Sequence, residues 1–181
     1  GANLLAALLA DFEGYEDLRR YLRALPKLGR EHPGADAMAG RVLRSVCDAF
    51  ASYRNRFGGR VKPMVFNFVW TPMVSQALGA TADGRRAGMP VAHGLTPQAA
   101  GMAQGITAAI NSSTSLPVEC VTGGATTMWD VDPEWAAPPV MKALLKGFLA
   151  RGGQIFQGNA TSVAEMEHAL EHPEEHQSLM V

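Results

Sequence analysis

Three short β-prone runs are spaced along the chain, with helical sequence before, between and after them. They are "MVFNFVW" (64–70), "ATTMWDV" (125–131) and "QIFQGN" (154–159). This alternation restricts the fold more than any other feature of the 181 residues. Strands alternating with helices point to an α/β fold with parallel strands. Parallel strands need cover on both faces, and three strands are too few to close a barrel. The expected architecture is therefore α/β, a portion of a larger barrel. The chain reads as a single lobe over 1–181, helical over 1–57 and barrel-forming over 58–181.

Apolar periodicity supplies the helices. One is expected from Asn3 to Phe12. A second is expected over "EGYEDLRRYLRAL", with Tyr15, Leu18, Leu22 and Leu25 as its apolar stripe and Pro26 as its end. A third should run from Ala37 to about Phe57, capped by Asp36 and burying Met38, Val42, Val46 and Phe50. Further helices are predicted at about 106–115 and from Asp132-Pro133-Glu134 onward, the latter with Val140, Leu144, Leu145 and Phe148 inward. Ser162 and Glu165 form a capping box for a last one.

Composition narrows the function classes. Net charge is −1 and no basic block stands out, which argues against nucleic-acid binding and gives no electrostatic attraction to a membrane surface. No apolar run reaches the ~18 residues of a membrane span, and no secretory leader is visible. Cys47 and Cys120 lack metal-type spacing and read as free thiols in a reducing cytoplasm. Cys120 has no base or positive field nearby in sequence to activate it.

The segment "GATADGRRAGMPVAHGLTP" (79–97) is a long, stiff loop with no period. Its His93 could serve as an acid or base, or simply as a structural histidine. Arg85 and Arg86 could clamp an anion, or could brace the loop by bonding buried carbonyls. "DGRRAG" lacks the ending of a phosphate loop. His168, His172 and His176 recur every fourth residue among acidic neighbours, but Pro173 interrupts the helix and no metal site is expected. Gln157 and Asn159 alternate on a strand and so share one face. Two amides are costly in a dry core unless paired, so they either line a cavity or bond nearby loop backbone. Asn67, in the middle of its run, poses the same choice.

The loop resembles "GATPDGRKAGEPLADGISP", a signature of glycyl radical enzymes of the pyruvate formate-lyase-like family. Asp83, Gly84, Arg85, Arg86, Ala87, Gly88 and Pro90 carry the motif. "FEGYEDLRRYLRALPKLG", "ADAMAGRVLRSVCDAF", "GITAAINSSTSLP" and "GGQIFQGNATSVAEMEHALEHPEEHQSLMV" resemble further family segments in the same order. The resemblance implies a ten-stranded α/β barrel of two half-barrels, of which this is the C-terminal part. It also implies a radical placed on a backbone glycine by a radical-SAM activating enzyme. That radical passes to a cysteine, whose thiyl form attacks a small organic substrate. A homo-oligomer is expected, and the stiff loop becomes a structural connection.

The family's cysteine lies in a "GC.E" context and its radical glycine in "RV.GYSA", and neither is matched here. No catalytic residue and no cofactor are therefore assigned to this chain. It is expected to be inactive alone and to need the remainder of the barrel or a second subunit. Met89, His93 and Ile106 replace the family's Glu, acidic residue and Pro, and "TTMWDVD" stands in place of "LNMKFHP". These departures leave the reaction open between formate acetyltransferase and dehydratase or lyase types. Asn67, Gln157, Asn159, Trp129 and Asp130 are the candidates for cavity-facing residues. The alternative is a non-catalytic structural module, or half of a split enzyme.

Overall fold

The computed structural model describes residues 2–66 and 70–176. The chain opens with a helical pair, α1 (Ala2–Leu9) and α2 (Glu16–Ala24). Ala7, Phe12 and Leu22 are buried between them, with Leu4, Leu8, Tyr15, Leu18 and Leu25 packed around. The predicted stripe of α2 is thus its buried face, and the helix stops just ahead of Pro26.

The third helix, α3 (Pro33–Ala51), starts earlier and ends earlier than its periodicity suggests. His32, not Asp36, is the cap: its Nδ1 accepts from the Ala35 amide, and Pro33 occupies the first turn, where a missing N–H costs nothing. Asp36 lies inside the helix and accepts from the Ser112 hydroxyl at 3.0 Å. At the other end, Asn55 Oδ1 accepts from the amides of Phe57 and Gly59 and folds those residues into a turn. The predicted burial is also reversed. Cys47, with Ala39 and Leu43, faces the core, whereas Met38, Val42, Val46 and Phe50 are 43–59% exposed. Among the described residues this apolar stripe stays largely uncovered.

The strands β1 (Met64–Val65), β2 (Gly124–Val131) and β3 (Ile155–Ala160) form one parallel sheet in the order β1-β2-β3. The first run yields a shorter strand than predicted, and Asn67 lies outside the described residues. Trp70 already precedes α4 (Thr71–Ala77), a helix the sequence reading missed. Pro72, read as the end of a strand, falls in that helix's first turn. α5 (Gly105–Thr114), α6 (Pro138–Ala150) and α7 (Val163–Glu171) complete the chain. Asp132 does not start α6: its Oδ1 accepts from the Glu134 amide in a tight turn, and Pro138-Pro139 begin the helix instead. Ser162 caps α7 as expected, accepting from the Glu165 amide.

α5 and α6 cover one face of β2 and β3. Trp129, Phe148, Ala109 and Ile110 are buried there, with Leu144 and Phe156 against them. Phe156 lies edge-on to Phe148 at 5.4 Å and stacks on Trp129 at 6.3 Å. The Trp129 indole N–H donates to Thr127 Oγ1 at 2.9 Å, so its burial strands no donor. Val140 and Leu145, predicted to join Phe148, are at least 36% exposed. Among the described residues no strand pairs with the outer edge of β3. The sheet ends as a cut section of barrel wall would. Among the described residues, no helix is long and apolar enough to cross a membrane.

Candidate functional site

The register of β2 and β3 decides which side chains share a face. Met128 pairs with Gln157 and Asp130 with Asn159. Partners in a parallel ladder point the same way, and alternate residues share a side. Asp130, Gln157 and Asn159 therefore project from the face opposite the α5–α6 layer. Asn159 Nδ2 donates to Asp130 Oδ1 at 3.0 Å. Gln157 and Asn159 are half-buried and Asp130 is exposed. The bond fixes the carboxylate while its second oxygen and the amide oxygen stay available. This polar rung can accept hydrogen bonds from hydroxyl groups, and its negative charge opposes an anionic ligand.

Trp129, expected with these residues, points the other way. It alternates with Asp130 along the strand and is 1% exposed within the helix-covered core. Its place among the candidates is corrected accordingly: it is a packing residue.

The stiff loop is a strap. Arg85 is 5% exposed. Its Nη1 donates to the carbonyls of Arg86 at 3.0 Å and Met89 at 2.6 Å, and its Nη2 donates to the Gly79 carbonyl. Of the two roles open to Arg85, the bonding is that of a brace. Asp83 Oδ1 accepts from Thr81 Oγ1 and the Arg85 amide. Outward, Arg19 of α2 donates to the Gly84 carbonyl at 2.9 Å, and the Ala87 amide donates to Asp11. Ser75 of α4 accepts from the Val91 amide, and the Leu95 amide donates to the Thr126 carbonyl of β2 at 2.8 Å. Pro90 is tied by Gln98, which donates to its carbonyl. Gly94 has φ +56°, and a Cβ there would stand 2.2 Å from the Thr126 carbonyl oxygen, so only glycine lets loop and strand approach this closely. His93 Nδ1 lies 3.3 Å from Thr71 Oγ1, a contact that ties it to the same bracing.

Elsewhere, Cys47 and Cys120 are free thiols. Burial, followed by its neighbour Cys120, pushes the Cys47 thiol up to about 12, so it is protonated and unreactive at neutral pH. An open depression of about 440 Å³ is lined in part by Arg41, Arg44, Leu116 and Glu119. Arg44 and Glu119 pair across it at 2.8 Å, and the hydrogen bond from Arg44 holds the Glu119 carboxyl below its ordinary range. It contains none of the sheet-face residues.

A parallel sheet covered by helices on one face and open at its edge is what a section of an α/β barrel wall would show. The family described as pyruvate formate lyase-like matches residues 2–72. The probable dehydratase YbiW of Escherichia coli (strain K12) is 30% identical over 194 residues, covering 98% of this chain and 24% of YbiW. A glycyl radical enzyme from Archaeoglobus fulgidus superimposes with a TM-score of 0.89 at 26% identity, over 99% of this chain and 24% of that one. The glycerol-bound form of the B12-independent glycerol dehydratase from Clostridium butyricum gives 0.86 at 25%, over 98% and 23%. The chain spans about a quarter of the length of these relatives. Over nearly its whole length it is similar to the pyruvate formate-lyase-like glycyl radical enzymes, and its fold is that of part of their α/β barrel.

Proposed function

We propose that this chain forms one wall of a glycyl radical dehydratase acting on a small hydroxylated substrate such as a 1,2-diol or polyol. On this reading Asp130, Asn159 and Gln157 hold substrate hydroxyls. The observation that carries it is the in-register Asp130–Asn159 pair on the sheet face left uncovered by helices. A fixed carboxylate suits a neutral, hydroxyl-bearing molecule and disfavours pyruvate, whose own carboxylate it would repel. The relatives named as dehydratases support the same choice over acyl transfer. The overall conversion turns a 1,2-diol into an aldehyde and one water. The glycyl radical and the thiyl cysteine belong to the rest of the assembled barrel, supplied by a longer polypeptide or a second subunit. A radical-SAM activating enzyme generates the radical, and the complete enzyme is a homo-oligomer.

The test is kinetic. In the complete, activated enzyme, Asp130→Asn and Asn159→Ala should each lower kcat/KM for the diol by about 10–100-fold. That is the worth of a hydrogen bond to a charged group, roughly 1.5–3 kcal/mol. Because these side chains lie outside the core, melting temperatures should stay within about 2 °C. Unchanged kcat/KM in both variants would remove the rung from the substrate site.

A further inference from the structure

We propose that His168, Glu175 and His176 form a binding site for a borderline divalent cation, with Zn²⁺ the best fit to the donor set. In a continuous helix, residues eight apart stand about 12 Å apart along the axis, and His168 and His176 could never share a ligand. Pro173 breaks that helix, and the break is what brings them together. The His172 amide still donates to the His168 carbonyl, and then the Glu175 and His176 amides donate back to His172 and Pro173. The chain turns over the end of α7, and His176 Nε2 arrives 2.8 Å from His168 Nδ1. The feature that argued against a metal in the sequence is the one that assembles the donors.

The donor atoms of His168, Glu175 and His176 all lie within 4.8 Å of one another. Two imidazole nitrogens on one tetrahedral Zn²⁺, each about 2.0–2.1 Å from it, stand roughly 3.3 Å apart. The two nitrogens now share a proton in a hydrogen bond; an ion would take that proton's place, with the rings parting by about half an ångström and turning their lone pairs toward it. Two neutral imidazoles and one carboxylate are a set favoured by zinc and its neighbours over calcium or magnesium. His168 and Glu175 are exposed and His176 half-buried, so an ion can enter and water can complete its shell. The His172 ring lies 4.7 Å from that of His168, and His172 faces Glu174 at 3.6 Å, so the flanking charge is also negative. A bound ion would staple the 173–176 turn to the last turn of α7.

The experiment uses the complete, untagged enzyme stripped with a chelator and titrated with Zn²⁺ alone, then with Co²⁺ to read coordination geometry by visible absorption. One equivalent should bind at micromolar Zn²⁺, with a tetrahedral Co²⁺ spectrum. His168→Ala and His176→Ala should each weaken binding at least about tenfold and abolish that spectrum, while His93→Ala changes neither. All three substitutions fall outside the buried core, so circular dichroism should match the parent. The proposal is overturned if no Zn²⁺ binds in that range, or if both variants bind like the parent.

Discussion

Replacing Trp129 with alanine is expected to destabilise the protein by about 3–5 kcal/mol, the usual cost of emptying an aromatic site in a packed core. The indole is 1% exposed, and it sits with Phe148 and Phe156 at the junction of β2, β3 and α6. None of these neighbours can move into the void without leaving its own contacts. Trp129→Phe should recover most of the loss, because the Thr127 hydroxyl still has the Ile155 carbonyl to donate to. Chemical denaturation of the complete enzyme measures both. Asp130→Ala, one residue along, should cost under about 1 kcal/mol, as is usual for exposed positions. Similar losses at 129 and 130 would mean that the two sheet faces are not divided as described.

Arg85→Ala is expected to cost about 3 kcal/mol. One buried side chain satisfies the carbonyls of Gly79, Arg86 and Met89, and losing hydrogen bonds from a charged donor costs roughly 1.5–3 kcal/mol. Arg85→Lys should restore little, since a point-like ammonium cannot reproduce the guanidinium fork. Amide hydrogen exchange should speed up across 79–97 in both variants. An anion-clamp role predicts the reverse pattern: intact stability, unchanged exchange and a selective rise in KM.

The sequence showed the order of the elements because each has a local cause. Leu18 and Leu22 recur at helical spacing, Ser162 precedes Glu165, and Gly152-Gly153 close α6, their amides donating to the Leu149 and Phe148 carbonyls. It showed the shared face of Gln157 and Asn159 because strand alternation is fixed by backbone geometry. Three matters were hidden for physical reasons. The stripe of Met38, Val42, Val46 and Phe50 has the periodicity of a buried face, yet the described residues leave it largely uncovered. Pro72 and Pro173 read as interruptions, yet one opens α4 and the other folds His176 back onto His168. The contact between Asn159 and Asp130 spans 29 positions and depends on a strand register that single-strand patterns do not encode. Trp129 is grouped with Asp130 because "TTMWDVD" departs as a unit from the family segment, although alternation sets the two on opposite faces.

The central claim is that this barrel wall serves dehydration of a hydroxylated substrate. The most direct measurement is product analysis of the complete, activated enzyme supplied separately with a 1,2-diol and with pyruvate under anaerobic conditions. The account predicts one aldehyde and one water for each diol consumed, and no formate from pyruvate. Formate release from pyruvate with the diol untouched would contradict it.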